Sequence, residues 1–190
     1  MALRYLLRIG QTPNSTRAFS PDFLAKSGLS ILYSDQRTVL ACNQEECWSR
    51  FADGNGLVVG SIFRRDRFSQ FPVSANGETI AMDADVHAVL TSLWGAFVAV
   101  ILGASSITVT RDPSGLLPAY YARYDGDWYF ASDVSVLVEA GIIAPSVDWE
   151  GLGRALYANE LPEERTSLLG VRQLLPGMAI ECAEDGARAS

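Results

Sequence analysis

Apolar and polar positions along the chain fall into short runs broken by glycine, proline and acidic turns. This is the pattern of many short strands with a few helices between them. Leu3 to Ile9 reads as a strand closed by Gly10, and a polar loop with Pro13, Asn14 and Ser15 follows from Gln11 to Ser20. Ser30 to Tyr33 and Thr38 to Cys42 are the arms of a predicted hairpin, turned at Ser34-Asp35-Gln36-Arg37. A short helix is predicted over Asn43 to Arg50, then a turn at Asp53-Gly54-Asn55-Gly56 and an apolar strand over Leu57 to Phe63. A long loop leads from Arg64 to Ile80. Asp83 opens a helix to Leu93, with Asp85 placed where an acid meets the positive end of the helix dipole.

The second half is denser. Gly95 to Leu102, Ile107 to Arg111, Ala119 to Tyr124 and Trp128 to Ala131 read as four consecutive strands. Ser132 is placed to cap a helix over Asp133 to Ala140, which Gly141 ends. Pro145 to Val147 is a linker, and Asp148 caps a helix to Tyr157. Pro162 to Leu175 is irregular, Met178 to Cys182 is a last strand, and Ala183 to Ser190 is a small polar tail. Strands in runs with helices gathered between them indicate an α+β protein. Several strands are apolar on both faces, as expected of sheets covered on both sides. Two packed sheets with helices outside satisfy both observations.

Composition narrows the function. A chain of 190 residues, nearly half of them hydrophobic, has enough apolar surface for its own core. With 15 basic against 22 acidic residues the net charge is −7, which argues against a nucleic-acid surface. Cys42, Cys47 and Cys182 have neither the number nor the spacing of a disulfide framework or of a zinc or redox pair, and read as free thiols in a reducing cytosol. His87, the single histidine, falls in a predicted helix and reads as a packing or surface residue; metal ligation is not expected. The first residues place arginines inside an apolar stretch, unlike a secretory signal. Leu93 to Ala104 is too short to span a bilayer. A cytoplasmic protein that engages no membrane is the expectation.

Arg111-Asp112-Pro113-Ser114-Gly115-Leu116-Leu117-Pro118-Ala119-Tyr120-Tyr121 resembles a signature of the class II glutamine amidotransferase domains of asparagine synthetases. Phe130-Ala131-Ser132-Asp133 is similar to that family's Phe-Ala-Ser-Glu, and Leu93-Trp94-Gly95-Ala96-Phe97-Val98 to its Gly-x-Phe-Ala strand. Gly170 to Gly177 is similar to its Ile-x-x-Leu-Pro-Pro-Gly element. These matches keep the family's order between Leu57 and Gly177. The Gly-x-x-x-Gly-Ser-Ile-Phe-Arg-Arg segment beginning at Gly56, the Arg-Asp-Pro-Ser-Gly turn and Val147-Asp148-Trp149 look most like the asparagine-synthetase homologues of lasso-peptide clusters, which close a macrolactam. The resemblance implies an N-terminal-nucleophile (Ntn) fold: a four-layer αββα sandwich with two mainly antiparallel sheets, over residues 1–177. Residues 178–190 are then the start of a linker toward an ATP-pyrophosphatase-type synthetase domain. ATP and magnesium would act in that domain, because neither its Ser-Gly-Gly-x-Asp-Ser loop nor a Walker motif occurs in this sequence.

The family's catalyst is a cysteine exposed at position 1 after removal of methionine, with its own α-amine as base. This sequence begins Met1-Ala2-Leu3, and Ala2 has no nucleophilic atom; Cys42 lacks an adjacent α-amine. The resemblance places the family's oxyanion-holding Asn-Gly at Val59-Gly60, where valine offers no side-chain donor. Asn76-Gly77-Glu78 copies the letters but reads as a turn. Arg111 and Asp112, with Gly115 in the turn behind them, read as a structural salt bridge, with ligand contact as the alternative. Arg64, Arg65 and Arg67 are a solvated charge cluster or, alternatively, contacts for the carboxylates of a precursor peptide. A silent glutaminase-like domain is expected. The alternatives are a glutaminase or Ntn hydrolase activated by processing before a residue such as Ser30 or Thr38, and a peptide-binding module.

Overall fold

The computed structural model describes residues 2–10, 17–65, 79–82, 84–104, 106–158, 163–182 and 188–189. In chain order these form strand β1 (Tyr5–Ile9), helix α1 (Pro21–Ser27), and strands β2 (Ser30–Ser34), β3 (Thr38–Cys42), β4 (Trp48–Phe51), β5 (Gly56–Arg64) and β6 (Thr79–Ile80). Helix α2 (Val86–Ser92) leads directly into β7 (Leu93–Leu102), then β8 (Ile107–Arg111), β9 (Tyr120–Tyr124) and β10 (Asp127–Ala131). Helices α3 (Val134–Glu139) and α4 (Trp149–Ala158) and the short strands β11 (Arg172–Gln173), β12 (Ala179–Cys182) and β13 (Arg188–Ala189) complete the chain. The expected α+β class, with two mainly antiparallel sheets, is what these elements form. They divide into two compact units, Met1–Asn43 with Pro118–Leu175 and Gln44–Leu117 with Pro176–Ser190.

The first unit holds a sheet in the order β11-β9-β10-β1-β3-β2, antiparallel throughout. One face carries Leu6, Val39, Ala41, Tyr129 and Ala131 against Phe23 of α1 and Val136 and Leu137 of α3. Burying an aliphatic or aromatic side chain of this kind stabilises by about 1.5–3 kcal/mol. On the opposite face of the same strands Leu7, Leu40 and Phe130 are buried as well. Helix α1 is an addition to the predicted elements. Ser20 Oγ accepts from Phe23 N at 3.3 Å, Pro21 opens the first turn and Gly28 closes the helix in the left-handed region.

The second unit holds the order β13-β12-β8-β7-β5-β4-β6, antiparallel except for the parallel pair β4–β6. Val58, Ile62, Phe97 and Ala99 meet Val89 of α2 and Leu93. Ala179–Cys182 and Arg188–Ala189, which lie in the expected linker 178–190, are strands of this sheet.

Four local expectations are corrected. Asn43 to Arg50 is not a helix: in β4, buried Ser49 and Phe51 alternate with Trp48 and exposed Arg50, and a period of two suits a strand with one face buried. Ser132 does not cap α3. Asp133 does, through Ser135 N at 2.7 Å, while Ser132 Oγ accepts from Tyr5 N at 3.1 Å and ties α3 to β1. The helix expected from Asp83 begins at Val86, because Asp85 is its cap and accepts from Ala88 N at 2.8 Å. The long loop after Arg64 contains β6. Arg67 and Asn76-Gly77-Glu78 lie outside the described residues.

Candidate functional site

Strand β7 collects most of the candidate residues. Its register pairs Val98 with Val59 of β5 on one side and with Arg111 of β8 on the other. Phe97 is paired with Gly60, and its backbone is also held by Asp112: Phe97 N donates to Asp112 Oδ2 at 3.1 Å and Asp112 N donates to the Phe97 carbonyl at 3.1 Å. Val59, Gly60, Arg111 and Asp112 are therefore neighbours across three adjacent strands, although some fifty residues separate the two pairs in sequence.

Close approach of β5 and β7 depends on two glycines. Gly60 (φ 112°) and Gly95 (φ 140°) occupy conformations that favour glycine. A Cβ on Gly60 would overlap the Ala96 carbonyl oxygen, and one on Gly95 would overlap that of Ser61. Gly60 is also fully engaged on its other side: its N–H donates to the Cys47 carbonyl at 2.7 Å. Val59 beside it is completely buried.

Arg111 and Asp112 both hold backbone. Arg111 Nε donates to the Leu117 carbonyl at 2.8 Å and its Nη2 to the Gly115 carbonyl at 2.5 Å. Asp112 Oδ1 accepts from Ser114 N at 2.8 Å, from Gly115 N at 3.2 Å and from the Ser114 hydroxyl. Ser114 Oγ also lies 2.8 Å from the Gly95 carbonyl, so the turn is tied to the head of β7. A carboxylate with this many donors is a brace for the strand ends. Gly115, in the left-handed region (φ 65°), packs beside Pro176. Ser114 was not a candidate from the sequence; its place in an Asp-Pro-Ser-Gly turn was the available signal.

The remaining candidates are held by contacts of their own. Ala2, in the first unit, is exposed, and its carbonyl accepts from Asn43 Nδ2 at 3.0 Å. Arg64 ends β5 and donates to the Ala81 carbonyl at 3.3 Å, while Arg65 is exposed and its N–H donates to the Ser92 carbonyl. Next to them Phe63 stacks on half-exposed Trp94 with ring centroids 4.5 Å apart. The three cysteines are buried and in no disulfide, and His87 is exposed on α2. Among the described residues no group of three or more histidine, cysteine, aspartate or glutamate side chains could hold a metal ion, and no helix is long and apolar enough to cross a membrane.

A family model described as a glutamine amidotransferase domain matches residues 66–190, which is more than half of the chain. The chain belongs to this family. Among solved structures, this amidotransferase domain is similar to a glutamine phosphoribosylpyrophosphate amidotransferase from B. subtilis complexed with ADP and GMP. Identity is 10%, the match covers 98% of this chain and 48% of that one, and the TM-score is 0.48. The structure of an allosteric regulatory enzyme of purine biosynthesis matches at 11% identity, over 100% of this chain and 43% of that one, with a TM-score of 0.43. The domain thus spans about half the length of these structures. No curated protein matches it. The family match covers the β7–β8 strands, the Arg111–Gly115 turn and everything after them. In this amidotransferase domain the Arg111–Gly115 turn is braced by side chains turned onto backbone groups.

Proposed function

We propose that this domain does not hydrolyse glutamine and is the glutaminase-like part of an ATP-dependent amide-forming enzyme of asparagine synthetase type, acting in lasso-peptide macrolactam formation. One observation carries the silent reading. At the place where the resemblance puts two oxyanion donors, Val59 has only hydrocarbon and the Gly60 N–H is already bonded to Cys47. An oxyanion hole needs free donors aimed at the developing charge, and losing one donor costs about 10²–10³ in rate. The residues that lead into β1, Ala2, Leu3 and Arg4, also lack a thiol or hydroxyl. The synthetase context is supported by the Arg111–Tyr121 and Gly170–Gly177 motifs, and the peptide-ligating context by the Gly60–Arg65 run. ATP and magnesium belong to the synthetase domain that this reading requires.

Ammonia and glutamate release from glutamine, measured with the purified chain, is the test. No turnover is expected, and Ala2→Cys alone, after methionine removal, stays silent because the donors remain absent. Measurable turnover by the unmodified chain overturns the proposal. The synthetase context is tested separately: a pyrophosphate loop of the Ser-Gly-Gly-x-Asp-Ser kind is expected in the same gene product or in a co-purifying partner, and its absence from both removes that part of the reading. Arg64 and Arg65 are the candidate contacts for a precursor peptide. Reversing both charges should weaken peptide binding, and unchanged affinity would dismiss them.

A further inference from the structure

Helix α4 is attached by its polar side. Asp148 Oδ1 accepts from Gly151 N at 3.0 Å, Arg165 grips the same carboxylate through Nε (2.6 Å) and Nη2 (2.8 Å), and Gly151 is buried where a Cβ would press on the Thr166 carbonyl at 2.7 Å. The opposite side of the helix carries Trp149, Leu152, Gly153, Leu156 and Tyr157, the i, i+3, i+4, i+7, i+8 spacing of a packing face. Yet Trp149 is 76% exposed, Leu156 75% and Tyr157 94%. In the middle of that face a Cβ on Gly153 would meet nothing within 4 Å, which leaves a dip between large side chains.

We infer that this face is covered by α4 of a second copy, crossing antiparallel about a twofold axis near Leu152 and Gly153. The charge pattern selects that occupant. Glu150 and Arg154 sit one turn apart on the same flank of the apolar face, and both are well exposed, at 71% and 58%. A twofold that reverses the helix brings this flank against itself, so Glu150 of each copy meets Arg154 of the other. A parallel arrangement brings the flank against Gly151 and Ala155, which carry no charge. The same inversion sets Trp149 of each copy against Leu156 and Tyr157 of the other, over the Gly153 dip. Partner contacts across the interface add to the existing Glu150–Arg165 and Arg154–Glu163 pairs, which are long or exposed.

Sedimentation equilibrium of the purified chain tests this. A dimer is expected at micromolar concentration, with Leu156→Glu monomeric and its circular dichroism unchanged. Glu150→Arg should weaken the dimer about five- to tenfold. The exchanged variant Glu150→Arg/Arg154→Glu should recover the native affinity, which a merely structural role for either residue would not produce. A chain that stays monomeric at high concentration overturns the inference and leaves the face to another domain. So does a dimer that survives Leu156→Glu, or an exchanged variant no tighter than Glu150→Arg. None of these outcomes depends on glutamine turnover, so failure here and failure of the proposed function are distinguishable.

Discussion

Each of the two units contains an arginine and an aspartate almost sealed from solvent, and the two couples work differently. In the first unit Arg8 Nε lies 2.6 Å from Asp127 Oδ2, with the side chains 1% and 2% exposed, so the charges neutralise each other within the sheet. In the second unit, Arg111 and Asp112 are adjacent in sequence and equally buried, yet each serves backbone groups of the turn that follows β8. Adjacent residues in a strand point to opposite faces, so neighbours in sequence are poorly placed to pair, whereas residues across a strand pair are well placed. The β1–β10 register runs Ile9 to Trp128, which brings Arg8 and Asp127 to the same region of one face. The first couple is an ion pair; the second is a pair of backbone clamps.

The largest effects are expected where the ion pair is broken on one side only. Asp127→Ala leaves the Arg8 cation buried with its carboxylate gone and should cost about 3–5 kcal/mol, read as a fall in the denaturant midpoint. Replacing both residues by apolar ones of similar volume, as Arg8→Met with Asp127→Leu, should recover most of that loss, because desolvation of the ions offsets much of their attraction. Gly10 tests the same place sterically: an added Cβ would overlap Asp127 Oδ1 and come within 2.6 Å of Arg8 Nη2, so Gly10→Ala should destabilise the wild type. A double variant as unstable as Asp127→Ala would show that the couple is a clamp after all.

The backbone clamp should behave otherwise. Asp112→Ala strips acceptors from the N–H groups of Phe97, Ser114 and Gly115 and should cost about 2–4 kcal/mol, since each buried donor left without a partner costs about 1–3 kcal/mol. Here no apolar partner substitution rescues, because the lost groups are main-chain. Rescue of Asp112→Ala by Arg111→Met, measured in a double-mutant cycle, would erase the distinction between the two regions.

The difference also explains what the sequence could and could not reveal. Strands β1, β3, β5, β7, β8 and β10 were legible because their apolar runs are bounded by Gly, Pro or Asp turns and are buried on both faces. The capping of α4 by Asp148 was legible because an N-cap acts within three residues. Helix α1 carries equally local signals in Ser20-Pro21-Asp22, but its seven residues bury only Phe23 and Ser27, too few to mark an apolar period. β4 was lost for a related reason: its four residues owe their state to pairing with β5 and β6, not to their own propensity. Of the candidate site, the Val59 and Arg111–Gly115 segments were found as motifs, but their assembly across β7, the Cys47 bond to Gly60 and the Arg8–Asp127 pair depend on register between distant strands.

Asp148 in the first unit combines the two kinds of behaviour and gives the finest test. Its carboxylate pairs with Arg165 and also caps backbone at Gly151, and these bonds, the Arg165 hydrogen bonds first, hold it below its ordinary value of 3.8. A carboxyl lowered by folding contributes stability that is complete above its ordinary value and drains away as pH falls through the lower, folded one. The anchor of α4 should therefore persist through neutral and mildly acidic solution and loosen only below about 3.8, read as loss of hydrogen-exchange protection at the Gly151 amide. Arg165→Gln removes the dominant cause and leaves the Gly151 bond, so loosening should begin at higher pH but still below 3.8. Because Arg165 is 38% exposed, added salt should move the wild type part of the way toward the variant, as screening weakens partly exposed pairs. A profile unchanged by either Arg165→Gln or salt would mean that the cap alone sets the titration, and Asp148 would then belong with Asp112 as a backbone clamp rather than between the two classes.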